Sequence, residues 1–578
     1  MSYPPTGDPW YDTLLNVTTT PLTKELTLSL DQIAGSGDAQ IELTAFGYNS
    51  VLHHLVTEFN GQLIDDGQFN GRVPYSVQQA IDLSLLQEGE NTLRLTLPAD
   101  TGASADYVAF EGLSVTYPRA LVAVDDQLRF TSAGTHFRVD GLTSADITVL
   151  RLDADGPVHL NNLVVTPEGS TYSVAFAGAG AEATYLVTGA AGCRAPRAMH
   201  AVSAVADPVS GQADYVVISH PNFIDSLAPF VAAREAQGYA MRVVNVDDIY
   251  ATHGNGVFGA EAIQAFVGRA IVEMGADYFL LVGADTYDYR NYLNKNYVSY
   301  IPTLYRNTTG VITFAPADPV YTDVNGDDQP DAALGRWPVR TQAEVANLIA
   351  KTLAFDNKSY EQQAVLVHED GFGVTQEAIT APLATAGWNF VMNAGPETGD
   401  PAVTKAGLVD ALNAGVALTH FYGHGTNTRW TSSADLLSST DVAALANQGK
   451  PTTLFVFDSY RTNYNTTSWY SSMQAKALLS GENGAAAVVG TTTLLYARTA
   501  INLGTRLTAE LAQPGVTFGG GLQNAKAALV ANPPYNTGSS NPAHEYTGLT
   551  LLGDPTLILT NGVGPVPTPI NMPEPTPT

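Results

Sequence analysis

The amino-acid sequence predicts a multidomain protein in which N-terminal antiparallel β domains precede a two-part α/β domain with mainly parallel sheets. Three observations support this fold class. Apolar and polar residues alternate in short runs up to about residue 118, which is the period of half-buried strands. After Ala204 short apolar runs alternate with helical patterns, as in α/β domains. A second cycle of this alternation begins near Gln363.

The N-terminal third is predicted to consist of strands. We assign residues 1–25 to an N-terminal segment and residues 26–118 to a sandwich or jelly-roll-like domain. In "NTLRLTLP" the side chains of Leu93, Leu95 and Leu97 share one face of a strand. The stretch "FNGQLIDDGQFNG" contains two Asn-Gly pairs, which are typical of hairpin turns. Residues 119–200 are a second strand-rich region that ends in a linker.

The remaining chain is predicted to form two α/β halves, residues 201–358 and residues 359–562. The helical stretch "AEVANLIAKTLAFDN" separates them, and Gly238 is expected to end an earlier helix. Because strands alternate with helices, a parallel sheet covered on both faces is expected. Residues 563–578 are rich in Pro and Thr and are predicted to be an extended tail.

Composition excludes several classes of function. The formal charge is −29, without a basic cluster, so nucleic acid and anionic membranes are not expected as partners. The sequence has one cysteine, Cys193, which rules out internal disulfides and cysteine-rich zinc sites. There is no apolar run of about 18 residues, so no transmembrane segment is expected. The start "MSYPPTGDPW" does not predict a signal peptide.

Two predicted strands end abruptly in polar loops. Residues 421–430 read "FYGHGTNTRW", and residues 453–464 read "TLFVFDSYRTNY". Ligands of open α/β sheets bind outside the carboxyl ends of the strands, so His424 and Tyr460 are expected to face one crevice. The alternative for the Gly-His-Gly stretch alone is a tight turn with an exposed histidine.

The region around these loops resembles the gingipain family of cysteine peptidases. The resemblance lies in "HFYGHGTNTRW" with the strand that leads to "FDSYRTNY", in "VGADTYDYRN", in "PDAALGRWPVRT" and in "LLGDPTLIL". It extends from about Ala204 to Thr560, and the preceding β region is similar to the one found before the peptidase in many members. The resemblance implies a caspase-like fold for the α/β domain and proteolysis outside the cytoplasm.

By this resemblance His424 is the catalytic histidine, which activates a thiolate in the family. The family's nucleophilic cysteine follows the second strand, in a form such as Ser-Cys-x-Thr-Gly. This chain reads Ser459, Tyr460, Arg461, Thr462 and Asn463 there, so Tyr460 occupies the position of the nucleophile. Ser459 or Thr462 could in principle substitute for the thiol. Cys193 matches no family motif and is expected to be a small packing residue.

A second motif predicts a calcium loop. In "YTDVNGDDQPDAALG" the residues Asp323, Asn325, Asp327, Gln329 and Asp331 alternate along the chain, with Gly326 for a sharp turn. Oxygen ligands at this spacing are typical of Ca²⁺ sites, although Leu334 stands where an EF-hand has its bidentate glutamate. The alternative is an acidic turn without a metal. Calcium also agrees with the family resemblance.

Three functions remain open at this point. The first is a secreted or cell-surface pseudopeptidase that binds a protein or peptide. The second is an active extracellular endopeptidase with a substitute nucleophile. The third is a structural subunit of an extracellular assembly.

Overall fold

The computed structural model describes residues 10–35, 37–195, 205–308, 312, 315–395, 399–430, 435–531 and 546–561. The chain divides into two compact units near residue 201. The Pro/Thr-rich tail predicted at residues 563–578 lies outside the described residues. Among the described helices, none is both long enough and apolar enough to cross a membrane.

The N-terminal unit begins with a sandwich of two antiparallel four-stranded sheets, ordered β1-β8-β3-β6 and β2-β7-β4-β5. Its strands are β1 (Thr13–Val17), β2 (Leu22–Leu30), β3 (Asp38–Gly47), β4 (Leu52–Phe59), β5 (Gln62–Asn70), β6 (Pro74–Asp82), β7 (Gly89–Leu97) and β8 (Asp106–Thr116). Two of them begin before residue 26, inside the stretch assigned above to an N-terminal segment. Leu93, Leu95 and Leu97 are buried together in the core, as their alternation predicted.

The Asn-Gly pair at Asn60 and Gly61 forms the turn between β4 and β5. Both residues have positive φ, 48° and 80°, which is the backbone that such a two-residue hairpin requires. The hairpin prediction is therefore confirmed at this position.

A second sandwich follows in the same unit, with sheets ordered β12-β11-β15-β9 and β10-β14-β13. Its strands are β9 (Gln127–Ser132), β10 (His136–Leu142), β11 (Ile147–Asp153), β12 (Gly156–His159), β13 (Val164–Glu168), β14 (Thr171–Ala177) and β15 (Ala183–Gly189). Val139, Val149, Val174 and Val187 lie in its own core. This core has no member in common with the core of the first sandwich.

The C-terminal unit is an α/β domain built on one ten-stranded sheet. The strands of this unit are β16 (Tyr215–Ser219), β17 (Met241–Asn245), β18 (Tyr278–Val282), β19 (Tyr305–Arg306), β20 (Ala315–Pro316), β21 (Ala333–Trp337), β22 (Gln363–His368), β23 (Asn389–Ala394), β24 (Leu418–Tyr422), β25 (Gly425–Thr426), β26 (Arg429–Trp430), β27 (Leu437–Ser438), β28 (Thr452–Phe457), β29 (Ala485–Thr491) and β30 (Leu549–Leu552). Strands β19 and β20 form a separate pair and β25 to β27 a separate small sheet, so the other ten make up the large sheet. Its helices are α1 (Pro221–Ile224), α2 (Ala228–Ala236), α3 (Val246–His253), α4 (Ala260–Arg269), α5 (Gln342–Asp356), α6 (Gly373–Thr385), α7 (Pro401–Ala414), α8 (Ser439–Ala443), α9 (Met473–Leu479), α10 (Ala497–Leu511) and α11 (Phe518–Ala531).

The large sheet has two halves. The first half is ordered β17-β16-β18-β21 and the second β29-β28-β24-β22-β23, and neighbours within each half are parallel. Strand β30 lies between the halves. It pairs antiparallel with β29 and meets β21 through one bridge between Leu552 and Arg336. The helix expected to separate the halves is α5, and a capping box of Thr341 and Glu344 begins it.

Helices cover both faces of this sheet. Alternate side chains of β16 enter different cores, with Tyr215 and Val217 on one face and Val216 and Ile218 on the other. Such continuous burial explains why the strand sequences are apolar runs rather than alternating patterns. Gly238 follows the end of α2 with φ of 99°, so the predicted helix end is confirmed.

Candidate active site

Three neighbouring strands of the second half, β28, β24 and β22, end in polar residues at their carboxyl ends. Asp458 follows β28, His424 lies two residues after β24, and Glu369 follows β22. The strands are parallel, so their carboxyl ends meet at one edge of the sheet. This edge is where ligands of open α/β sheets bind.

His424 is oriented by Glu369. Its Nδ1–H donates to Glu369 Oε2 at 2.8 Å, and its backbone N–H donates to the same oxygen at 2.6 Å. The ring of Phe372 packs edge-on against the imidazole. In the neutral imidazole this contact favours the tautomer with the proton on Nδ1, in which Nε2 carries the lone pair. The side chain is 74% exposed, and within the described residues no hydrogen bond is made to Nε2.

The two glycines beside His424 allow the backbone to pass close to its neighbours. A Cβ at Gly423 would lie 2.5 Å from Glu369 Cβ, and φ of Gly423 is 152°. A Cβ at Gly425 would lie 2.8 Å from the Arg429 carbonyl oxygen. A larger residue at position 423 would therefore separate His424 from the carboxylate that orients it, and one at position 425 would displace the backbone of Arg429.

A buried ion pair supports the histidine loop from the neighbouring strand. The guanidinium of Arg461 contacts the Asp458 carboxylate and also donates to the carbonyl of Gly425. Both side chains are almost fully buried. Burial raises the pKa of Asp458 to about 6, although the positive charge of Arg461 acts in the opposite direction.

Tyr460 lies in the tight turn after β28. Its φ is 62°, and among the described residues it is the only aromatic residue with a positive φ. Its backbone N–H donates to the carbonyl of Thr493 at 2.9 Å. This conformation costs a bulky residue about 1–2 kcal/mol and is often found at functional sites. The side chain is half-buried.

The other candidate nucleophiles are engaged elsewhere. Thr462 is fully buried, and its hydroxyl is 2.8 Å from the hydroxyl of Thr550. The Ser459 hydroxyl accepts a hydrogen bond from the backbone N–H of Leu495 at 3.0 Å. Cys193 belongs to the N-terminal unit and is exposed, so the expectation that it is a packing residue was wrong.

The predicted calcium residues lie in one loop before β21. Asp323 accepts hydrogen bonds from the backbone N–H groups of Gly326 and Asp328, and Asp331 accepts one from Val324. Asn325 and Asp327 accept from the loop backbone as well, and the Gln329 amide donates to Asp327. The loop therefore presents oxygen atoms that can serve as metal ligands, and oxygen ligands are what Ca²⁺ requires. Among the described residues, no three acidic or histidine side chains converge as a metal cluster.

Sequence reasoning missed Glu369, Asp458 and Arg461. Glu369 is 55 positions from His424 in the chain, and only the parallel pairing of β22 with β24 brings them together. The available signal was the polar end of the apolar run "AVLVHED", which follows the same rule that identified His424. Asp458 and Arg461 belong to "FDSYRTNY", which was interpreted from the sequence only as the position of a nucleophile.

In a mainly parallel α/β domain, a histidine–carboxylate pair at the strand ends is the arrangement in which a carboxylate orients a general base. Comparison with known proteins identifies the family. The family model described as Peptidase family C25 matches residues 209–560, more than half of the chain, so the chain belongs to this family of gingipain-type cysteine peptidases. The resemblance found in the sequence is confirmed.

Individual relatives are distant. Gingipain R2 of Porphyromonas gingivalis is 25% identical over 261 residues, which are 42% of this chain and 31% of that protein. The match thus covers about a third of the length of Gingipain R2. A crystal structure described as the Arg specific cysteine proteinase gingipain R aligns with a TM-score of 0.49 and 19% identity, over 62% of this chain and 80% of that chain. The complex of Porphyromonas gingivalis RgpB pro- and mature domains aligns with a TM-score of 0.48 and 20% identity, over 60% of this chain and 79% of that chain.

Proposed function

We propose that this chain is a proteolytically silent gingipain-type protein, secreted or at the cell surface, that uses the retained cleft to bind a protein or peptide. One observation carries the proposal: residues 209–560 contain no cysteine, because the single cysteine of the sequence is Cys193. A cysteine peptidase without its thiolate has no nucleophile for the peptide bond.

The side chains around His424 support a binding role. The buried charges of Asp458 and Arg461 fill the space beside the histidine loop, and Arg461 holds that loop through Gly425. In the neutral tautomer with the proton on Nδ1, the exposed Nε2 of His424 can accept a hydrogen bond from a peptide N–H. The same Glu369 contact that orients a catalytic imidazole also orients an imidazole that only binds.

The alternative of an active endopeptidase finds less support. The Thr462 hydroxyl lies in the core against Thr550, where a substrate cannot reach it. The Ser459 hydroxyl is bonded to the backbone of Leu495. In the part of the chain that the structure describes, neither hydroxyl makes a hydrogen bond to His424.

The test combines hydrolysis with active-site labelling. We expect the full chain to cleave no member of a fluorogenic peptide library and to react with no thiol-directed peptidase probe at a site other than Cys193. Hydrolysis that disappears in His424→Ala would contradict the proposal. Ser459→Ala and Thr462→Ala would then identify the substitute hydroxyl.

The position of the lost nucleophile can be tested separately. We predict that Tyr460→Cys gives a thiol that the probe labels, and that adding His424→Ala to this variant slows labelling about tenfold or more, because the imidazole no longer activates the thiol. Ser459→Cys, a change of similar size that keeps the Asp458–Arg461 ion pair, is the matched variant one residue earlier. Labelling of Ser459→Cys but not of Tyr460→Cys would show that the nucleophile position is 459 rather than 460.

We also propose that residues 323–331 bind Ca²⁺ through Asp323, Asn325, Asp327, Gln329 and Asp331. Support comes from the oxygen-only donors at alternating positions of one loop. Calcium is expected to raise the melting temperature of the wild-type chain relative to a chelator, because a ligand of the folded state stabilises it. Asp327→Asn should reduce this increase, while Asp370→Asn, an exposed acid elsewhere, should not. An equal increase in both variants would contradict the proposal.

A further inference from the structure

The segment that follows β18 displays aromatic side chains on the surface. Residues 286–300, named here the tyrosine loop, include five tyrosines and three asparagines. Tyr289 is 52% exposed and Tyr292 is 56% exposed. The ring of Phe258, itself 47% exposed, lies 6.4 Å from the ring of Tyr289, so the apolar surface continues beyond the loop. Contiguous exposed apolar groups of this kind mark interaction sites.

The tyrosine loop is held in shape by its own polar groups. The Asp288 carboxylate accepts from the backbone N–H groups of Tyr292 at 2.7 Å and Leu293 at 2.8 Å. Asn291 and Asn296 exchange two hydrogen bonds, of 2.8 and 2.7 Å. Together with Asn294 they have φ between 52° and 57°, a conformation that asparagine tolerates better than most residues. The exposed rings are therefore displayed on a defined backbone.

Arg340 anchors the base of the loop. Its guanidinium packs against both Tyr297 and Tyr470, 4.2 and 4.5 Å from their ring centroids, and the two rings contact each other edge-on. It also donates to the carbonyls of Val298 and Asp285, at 2.9 and 2.6 Å. Some tyrosines thus fix the loop while others face solvent. Exposed tyrosines on a backbone that is already held in one conformation are typical of protein surfaces that recognise other proteins, since binding then orders few side chains.

The charge of the loop is opposite to that of the chain. Arg290 and Lys295 are exposed, whereas the only acid of the loop, Asp288, is buried and uses both oxygens on the loop backbone. The whole chain has a formal charge of −29. Two exposed basic side chains beside exposed aromatic rings are complementary to an acidic segment that also presents apolar groups.

We propose that the tyrosine loop is a docking surface for an acidic peptide segment of a partner protein. The aromatic rings contact apolar groups of the segment, and Arg290 and Lys295 pair with its carboxylates. The surface lies on the first half of the sheet and does not require the His424 cleft to bind anything. It therefore goes beyond the binding role proposed above.

The experiment measures binding of short labelled peptides in three sets, acidic, neutral and basic, to the full chain by fluorescence anisotropy. We expect the acidic set to bind most tightly, with affinity falling as salt is added. Arg290→Glu with Lys295→Glu should weaken this binding about tenfold and shift the preference to the basic set. The matched control, Lys450→Glu with Arg506→Glu, makes the same charge change at exposed positions on other elements and should retain the acidic preference.

The aromatic contribution is tested with Tyr289→Ser and Tyr292→Ser together, for which weaker binding of the acidic set at unchanged thermal stability is expected. Equal binding of the three sets, absence of acidic peptide binding, or unchanged affinity in the charge-reversed loop would each overturn the proposal.

Discussion

At the scale of single residues, the ion pair of Asp458 and Arg461 connects the turn after β28 with the histidine loop. A buried pair of this kind contributes little compared with a well-packed apolar pair, but the loss of one partner is costly. The partner left behind is a buried charge without compensation. Arg461 also bonds to Gly425, so its loss affects the backbone beside His424 as well.

We predict that Arg461→Met destabilises the α/β unit by about 3–5 kcal/mol at pH 8, because Asp458 is left charged and buried. The double variant Asp458→Asn with Arg461→Met should recover a large part of this loss. Calorimetric melting of the three proteins and the wild type provides the comparison. If Arg461→Met melts like the wild type at pH 8, the pair does not support the loop.

The loss of stability caused by Arg461→Met should depend on pH in a defined direction. Burial raises the pKa of Asp458 to about 6, so the folded chain holds this proton while the unfolded chain releases it, and stability from this group falls as pH rises from about 4 to 6. Without Arg461 the pKa of Asp458 rises further. The destabilisation by Arg461→Met is therefore expected to be small at pH 5 and to grow as pH rises above 6.

Single residues also show what the sequence could predict. The position of His424 was predictable because a strand that ends in Gly-His-Gly is a local pattern. The Glu369 partner was not, since its contact depends on β22 being the neighbour of β24 and not on spacing in the chain. The orientation of the His424 ring follows from that contact, so it too required the structure.

At the scale of elements, the position of β30 within the sheet could not be predicted from the sequence. It is the last strand among the described residues, yet it lies in the middle of the sheet between β21 and β29. Residues just after it fix this position, because Asp554 accepts hydrogen bonds from Tyr215 at 2.7 Å and from Arg234 at 2.8 Å. A sequence pattern predicts a short apolar strand here but carries no information about its neighbours.

We predict that Gly335→Ala disturbs the junction between the halves. A Cβ at this position on β21 would lie 2.2 Å from the Gly553 carbonyl oxygen, so the end of β30 must shift. Overpacking of this kind costs about 1–3 kcal/mol, and we expect the α/β unit to melt several degrees lower.

Gly112→Ala on β8 is the matched control. A Cβ there meets no atom within 4 Å, and its effect should stay within about 0.5 kcal/mol. Equal melting of Gly335→Ala and wild type would show that β21 and β30 are not packed tightly.

At the scale of the whole molecule, two units with different sequence periods form one chain. The alternating pattern predicted the sandwiches because each sheet buries one face, and the apolar runs predicted a sheet covered on both faces. The pairing order within the sandwiches was not predictable, since antiparallel strands of similar length and pattern can exchange neighbours. The pairs of His53 with Asp106 and of His54 with Asp66 and Asp100 depend on that pairing order, so they could be identified only in the structure.

His54 gives the N-terminal unit a dependence on pH. Its Nδ1–H donates to Asp100 at 2.8 Å and its Nε2–H to Asp66 at 2.6 Å, so both ring nitrogens face carboxylates. Burial lowers the pKa of His54, but the two aspartates outweigh burial and raise the pKa above its ordinary value. The folded chain therefore holds the proton more tightly than the unfolded chain.

Because the pKa of His54 is higher in the folded chain than in the unfolded chain, the direction of the expected pH profile is determined. The stabilisation from protonated His54 is complete below its ordinary pKa of about 6.5 and is lost as pH rises through the higher pKa of the folded state. We predict that the melting temperature of the N-terminal unit falls over this range in the wild type, and that His54→Gln removes this fall. His159→Gln, at an exposed histidine of the second sandwich, should keep the wild-type slope. Because both aspartates are about half exposed, added salt should flatten the wild-type profile, and an identical slope in His54→Gln would show that other groups cause it.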